Sequence, residues 1–188
     1  MMPLFRSIAC FAILGAMLAP LRAQRRPDPL NPVEIDELRD ASWEPQQRLG
    51  LYVKFARARL VSLEQMRNDP KTKDRGQQTH DMLDNFVAIY DELNDNLDMY
   101  QERKQDFRKP LKTIIEADTE FQAKLRALKD ASGVPAEEAK QYEFALSNAL
   151  DTVDSSAEDH RKLLADLEEA AKHQKKSSTK ADKNRSPE

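Results

Sequence analysis

The sequence is poor in the residues that β-rich and disulfide-stabilised folds require. Its 188 positions include only four glycines, one cysteine and 6% aromatic residues. Antiparallel sheets need more turn glycines and more aromatic or β-branched residues, and small disulfide scaffolds need several cysteines. The chain is instead 39% hydrophobic and 34% charged, which is typical of a single helix-forming domain.

The first 23 residues differ from the rest of the chain. Arg6 precedes an apolar run from Ile8 to Leu21, and the small residue Ala23 follows. The run is shorter than the roughly 20 residues that a helix needs to cross a bilayer. This arrangement predicts a secretory signal peptide at 1–23 that is cleaved after Ala23, with an uncleaved amino-terminal anchor as the alternative.

The residues left after cleavage indicate a compartment. Cleavage would remove the only cysteine, Cys10, whereas secreted eukaryotic domains often carry several disulfides. A bacterial periplasmic or secreted protein therefore fits best, and we predict no membrane span after cleavage. The mature chain would carry 28 basic and 33 acidic residues, which gives no reason to expect nucleic-acid binding.

The mature chain divides into three parts. We predict a Pro-rich lead-in at 24–31, a helical domain at 32–174 and a disordered polar tail at 175–188. Asn31 and Ser42 are predicted to cap the first two helices, and 68–76 to form a turn. The predicted helices cover 32–41, 43–67, a long stretch after the turn, and 136–174.

The long stretch contains a continuous apolar seam. Fourteen positions from Leu83 to Leu128 alternate by three and four residues, and twelve of them are apolar. Pro110 lies inside the seam, but the phase does not change across it and no Gly or Asn is nearby. We therefore favour one kinked helix over two antiparallel ones. The predicted fold is all-α, an elongated antiparallel bundle of three to four long helices with coiled-coil-like packing, preceded by the signal peptide.

Charge is segregated along the sequence. Residues 43–67 carry a net charge of +3, whereas residues 76–107 carry −6. We expect these two segments to pack side by side, with charge complementarity helping to select the partner.

Four polar residues occupy seam positions. Antiparallel pairing across a turn at Gly133 would bring them into one layer near Pro110. Buried polar groups can fix the alignment of helices, which is our interpretation. The alternatives are a small-ligand pocket or a pH response through a histidine. The four residues of this predicted polar layer are Lys104, Asp118, Ser156 and His160.

Four acidic residues would share one face of the long helix, because they are spaced four, three and four positions apart. We interpret this acidic ridge as a solvated face that the basic segment 43–67 partly neutralises. A dock for a cationic partner and a weak divalent-ion site are the alternatives. The acidic ridge consists of Asp91, Asp95, Asp98 and Glu102.

The sequence contains few groups that could do chemistry. It has three histidines and no phosphate-binding glycine loop, nucleophile elbow, Glu-x-x-His pair or zinc-ligand cluster. We therefore predict no enzyme, no cofactor and no metal. The predicted function is that of an exported structural or protein-interaction protein of the cell envelope, with a chaperone-like role included. Helices of unequal length leave apolar surface uncovered, which predicts a homodimer or a protein partner. A small-ligand or ion-binding bundle that uses the polar layer is the alternative.

Overall fold

Helices account for nearly all of the part of the chain that the structure describes. The structure is a computed structural model that describes the backbone of residues 28–183 and the side chains of residues 28–173. This part contains five α-helices and no strand, which confirms the all-α class and the helical bundle. The predicted signal peptide at 1–23 and most of the lead-in lie outside it. The helices are α1 (Pro32–Asp40), α2 (Pro45–Asn68), α3 (Arg75–Glu102), α4 (Arg108–Lys129) and α5 (Ala136–Lys183).

Local sequence signals explain where the first two helices begin. Asn31 caps α1 as predicted: its Oδ1 accepts from the Glu34 N–H at 3.0 Å, and Glu34 Oε2 accepts from the Asn31 N–H at 2.9 Å. The predicted Ser42 cap is wrong, because α2 begins at Pro45. Proline favours the first helical position and keeps the residue before it extended, as Glu44 is here.

The four long helices form a bundle in which the chain direction alternates. Going around the bundle, α2 is next to α3, α3 to α5, α5 to α4, and α4 to α2. α2 and α3 are antiparallel, α4 and α5 are antiparallel, and the pairs α2/α4 and α3/α5 are parallel. The consecutive helices α3 and α4 therefore lie on a diagonal. Directions follow from the contacts Arg48–Asn96, Arg67–Thr79, Arg57–Glu120, Glu64–Lys124, Lys112–Glu168, Arg126–Asp154, Gly76–Gln141 and Asn94–Ser156.

The prediction of one kinked helix through Pro110 is wrong. α3 ends at Glu102, and the chain turns back on itself through residues 103–107. The end of α3 has the hydrogen bonds of a Schellman motif: the Gln105 N–H donates to Tyr100 O at 3.0 Å, and the Lys104 N–H donates to Gln101 O at 2.9 Å. This motif needs a left-handed residue, which is usually glycine, and here Lys104 adopts φ 54°.

Pro110 is compatible with this break because of its position in α4. It is the third residue of a helix that begins at Arg108, where the backbone N–H has no partner within the helix. A proline there removes no hydrogen bond, so it does not need to kink the helix.

The apolar seam forms the core on both sides of the turn. Its side chains meet across the bundle, and the Phe86 and Phe121 rings pack edge to face with centroids 5.4 Å apart. Leu128 is partly buried, whereas Lys104 is exposed in the turn. The buried apolar seam residues are Leu83, Phe86, Tyr90, Leu93, Leu97, Tyr100, Phe107, Leu111, Ile114, Phe121 and Leu125.

We expected the basic side chains of α2 to face the acidic residues of α3, but they form ion pairs with other helices. α2 packs antiparallel on α3, but its ion pairs go to the other helices: Arg59 to Glu34 of α1, Arg57 to Glu120 of α4, and Arg67 to Glu138 of α5. Neutral side chains of α3 accept hydrogen bonds from α2: Asn96 Oδ1 from Arg48 Nε at 2.9 Å, and Thr79 Oγ1 from Arg67 at 3.0 Å. α2 thus ties α1, α4 and α5 to the bundle by charge.

Glu34 illustrates this role at the docking site of α1. Burial alone would raise the pKa of this carboxyl group. Hydrogen bonds from Arg59 and the Asn31 backbone, with the charges of Arg59 and Lys54, outweigh burial and lower the pKa below its ordinary value. Glu34 is therefore ionised at neutral pH and holds α1 against α2.

α5 is much longer than the other helices. It has 48 residues, whereas α2, α3 and α4 have 24, 28 and 22. It continues past the predicted domain end at residue 174 into the segment predicted to be a polar tail, because residues 175–183 contain neither Gly nor Pro. The disorder predicted for residues 184–188 falls outside the described residues. No helix in the described part is long and apolar enough to cross a membrane.

The turn at 103–107 predicts the effect of Lys104→Gly. A lysine in the left-handed conformation is strained by roughly 1–2 kcal/mol, and glycine removes this strain. Glycine also makes the unfolded chain more flexible, which lowers the stability by only roughly 0.4–1 kcal/mol. We expect the free energy of unfolding to rise by about 0.5–1 kcal/mol in urea denaturation followed at 222 nm. Lys140→Gly, inside α5, is the control, and we expect it to lower the free energy of unfolding by about 1 kcal/mol. If α3 and α4 were one helix, Lys104→Gly would lose as much as the control.

Candidate functional site

Five polar side chains meet in the middle of the bundle, and three helices supply them. Tyr90 and Asn94 come from α3, Asp118 from α4, and Ser156 and His160 from α5. Tyr90, Asp118 and His160 lie in the apolar seams of their helices, so helical periodicity turns them inward. We call these five residues the polar cluster.

The polar cluster is one continuous chain of hydrogen bonds. Tyr90 Oη donates to Asp118 Oδ1 at 2.7 Å, and Asp118 Oδ2 lies 2.9 Å from His160 Nδ1. On the other side of the ring, His160 Nε2 lies 3.1 Å from Asn94 Oδ1. Asn94 Nδ2 donates to Ser156 Oγ at 2.9 Å. Asp118 is 0% exposed and His160 is 4% exposed, so the carboxylate at the centre of the chain is shielded from water and the ring beside it nearly so.

Hydrogen bonding fixes which groups donate. Burial raises the pKa of the Tyr90 hydroxyl, and the adjacent Asp118 carboxylate raises it further, so Tyr90 remains a donor. When His160 is protonated, both ring nitrogens donate to the oxygens that face them. The His160 ring therefore lies between two oxygens, Asp118 Oδ2 and Asn94 Oδ1, and such buried polar groups are costly unless every partner is present.

The cluster does not have the arrangement of a nucleophilic catalytic triad. Asp118 and His160 are paired as the acid and base of a triad are, but the base must also contact the nucleophile. Here the amide of Asn94 lies between His160 and Ser156, since it contacts the ring through Oδ1 and the hydroxyl through Nδ2. The hydrogen bonds therefore do not join the His160 ring directly to the Ser156 hydroxyl.

A cavity opens beside the cluster between α3 and α5. Its volume is about 340 Å³, which is within the range of small-molecule sites. Asn94, Ser156 and His160 form its polar inner wall, and Asp98 and Lys162 contribute to its opening. Further lining residues are Leu97, Gln101, Asp159, Leu163 and Asp166.

The structure brings together three of the four residues of the predicted polar layer. Asp118 and His160 are buried and hydrogen-bonded, and Ser156 is half-buried at the end of the chain of bonds. Lys104 is not part of it, because the left-handed turn carries this residue into solvent. The layer lies about two helical turns along α4 from Pro110 rather than beside it.

Sequence reasoning missed Tyr90 and Asn94 as site residues. The seam pattern identifies Tyr90 only as an apolar, inward-facing position. The hydroxyl group of a buried tyrosine nevertheless needs a hydrogen-bond partner. Asn94 lies on the same face one turn later, next to the seam. The pairing of a seam tyrosine with a polar residue four positions on was the signal that could have identified them.

The acidic ridge is exposed along its whole length. Asp91, Asp95, Asp98 and Glu102 are solvent-accessible. Partial desolvation and the neighbouring Asp95 carboxylate raise the pKa of Asp91. None of the ion pairs among the described residues joins the ridge to α2, so the expected neutralisation is not seen as direct contacts. The described residues also contain no group of three or more His, Cys, Asp or Glu placed to hold a metal ion.

Comparison of this chain with protein-family models, with curated proteins and with solved structures finds no match.

The geometry predicts that Asp118→Ala is strongly destabilising. The substitution removes the partner of both the Tyr90 hydroxyl and the His160 ring, and each unpartnered buried group costs roughly 1–3 kcal/mol. We expect the free energy of unfolding, measured by urea denaturation, to fall by about 3 kcal/mol or more. Asp118→Asn should lose less, since its amide can still accept from Tyr90.

The matched control is Asp151→Ala on the exposed face of α5, which should change stability by no more than about 0.5 kcal/mol. Equal losses for Asp118→Ala and Asp151→Ala would contradict the hydrogen-bonded cluster.

Proposed function

We propose that this chain is an exported, non-enzymatic helical protein of the bacterial cell envelope that acts by binding another protein or a second copy of itself. The signal-like segment at 1–23 and the lack of any cysteine after it support a periplasmic or secreted location. The function is one of surface contact, and a chaperone-like role belongs to the same class.

The observation that carries the proposal is the incomplete coverage of α5. Leu163, Leu164 and Leu167 pack against the core but are only partly buried. They lie near the end of the bundle where α3 ends and α4 begins, since Glu168 pairs with Lys112 in the first turns of α4. α5 then continues to Lys183 without a neighbouring helix in the described part.

Physical reasons favour a partner at this position. A helix without tertiary packing is only marginally stable in water, because most helical stability in proteins comes from burying one face. Partly exposed leucines at the start of such a segment gain free energy when a second surface covers them. We propose that coiled-coil-like packing, continuing the seam of α5 against a partner, provides this cover in a homodimer.

Self-association predicts a specific effect of Leu167→Lys. Replacing a leucine that becomes buried should weaken the dimer about 10- to 100-fold, as expected for 1.5–3 kcal/mol of lost burial. Sedimentation equilibrium over a range of protein concentrations measures this change, and circular dichroism checks that helicity is retained.

Leu128→Lys is the matched control, because Leu128 is also partly buried but lies in the last turn of α4 at the opposite end of the bundle. A wild-type chain that stays monomeric at every concentration, or equal effects of the two variants, would contradict self-association through α5.

The cavity beside the polar cluster favours a second candidate function, small-ligand or ion binding. Its inner wall offers a hydroxyl, an amide and an imidazole, and its opening is rich in carboxylates, which suits a small cationic or hydrogen-bonding ligand.

Native mass spectrometry of the purified protein tests the second candidate. If the cavity binds a ligand, the wild-type protein should retain additional mass that Ser156→Leu loses, because leucine would fill the inner wall. Ser147→Leu, at an exposed position on α5, should retain it. An unmodified apo mass for wild type would count against ligand binding.

A further inference from the structure

Two chain segments rich in basic residues lie at one end of the bundle. α2 and α4 begin there, α3 ends there, and α5 leaves the bundle there. One surface cavity at this end is lined by Gln46 of α2, Asp106 of the α3–α4 connection, Lys109 of α4 and Glu168 of α5. We call this region the basic end.

The α3–α4 connection supplies the first part of its charge. Residues 103–112 contain five basic residues and one acidic residue, in a chain whose overall net charge is −3. Arg103, Lys104 and Lys109 are exposed, and none of them forms an ion pair among the described residues. Asp106 is already bound by Arg108, whose hydrogen bonds lower the pKa of this carboxyl group to about 2.

The position of these basic residues is unfavourable for the helix that carries them. The amino-terminal end of a helix attracts negative charge and repels positive charge. α4 nevertheless has no acidic residue in its first turn and no side-chain cap, while Arg108 and Lys109 occupy its first two positions. The Asp106 carboxylate compensates part of this conflict, because its Oδ1 accepts from the Arg108 N–H at 3.2 Å and from Arg108 Nε at 2.8 Å. Lys109 has no such partner among the described residues and stays exposed.

α5 adds a second basic segment at the same end. Residues 172–183 contain five lysines and one acidic residue, and the helix carries them past the start of α4. The sequence thus places a second basic segment on the helix that leaves the bundle at this end.

An exposed tryptophan lies at the same end. Trp43 is the only tryptophan of the chain and is 91% exposed. It precedes the first turn of α2, in which Gln46 lines the cavity described above. A tryptophan beside clustered lysines and arginines is the residue combination that favours the interface between water and lipid headgroups.

We propose that the basic end binds the surface of an anionic lipid bilayer, with Trp43 inserted at the headgroup level. Each lysine or arginine near an anionic surface contributes about a fivefold gain in partitioning, and the attraction decreases with salt. The contact is peripheral and does not depend on the self-association proposed above.

Vesicle binding followed by Trp43 fluorescence tests the proposal. Vesicles of phosphatidylcholine alone are compared with vesicles containing about 30% phosphatidylglycerol, at about 0.05 M and about 0.5 M salt. We expect a blue shift of the fluorescence and co-sedimentation with the anionic vesicles at low salt only.

Charge reversal locates the contact. The double variant Arg103→Glu and Lys109→Glu should weaken binding at least about tenfold. A glutamate at the second position of α4 suits the helix better than lysine, whereas a glutamate at the carboxyl end of α3 suits it less, so circular dichroism checks that the double variant keeps its helicity. The control is Lys71→Glu with Lys73→Glu, which makes the same change of charge in the exposed turn between α2 and α3 at the opposite end.

Three outcomes would overturn the proposal: equal binding to neutral and anionic vesicles, equal weakening by the two double variants, or binding without a fluorescence shift. Stronger binding to a short DNA duplex than to the vesicles would assign the surface to nucleic acid instead, and would also overturn it. Sedimentation equilibrium of the same double variant separates this proposal from self-association, which should be unchanged.

Discussion

The carboxylate of Asp118 lies at the centre of the bundle without contact with water, and the surrounding helices supply its partners. Burying such a group is unfavourable unless it is fully hydrogen-bonded. Tyr90 and His160 meet that requirement only when α3, α4 and α5 are aligned in one register. The apolar seam would tolerate other alignments, because leucine contacts leucine in several of them. A shift in the register of these helices would therefore leave buried polar groups without partners.

The turn at 103–107 makes this cluster possible. By reversing the chain between α3 and α4, it places Tyr90 opposite Asp118, which a continuous helix would hold far apart. The same turn concentrates basic side chains at the end of the bundle. One short segment thus determines both the buried site and the surface proposed to meet a bilayer. Lys104 adopts the left-handed conformation there and also contributes one of the exposed charges.

Part of the fold and of the site followed from the sequence. Periodicity identified the core positions and the inward-facing Asp118 and His160, because a helix buries the same residues whatever lies opposite. The kinked helix was wrong because a seam that steps by three and four looks the same in one long helix and in a hairpin. Glycine is the usual signal for the reversal, and a lysine occupies that position.

The sequence by itself determined the all-helical class, the α1 cap and the residues of the core, since these depend on neighbours within a few turns of the chain. The tertiary structure alone decided which helices are adjacent, where the arginines of α2 find their carboxylates, and that Asn94 separates His160 from Ser156. Those outcomes depend on contacts between residues that are distant in the sequence. The local sequence pattern does not specify which of these residues come together.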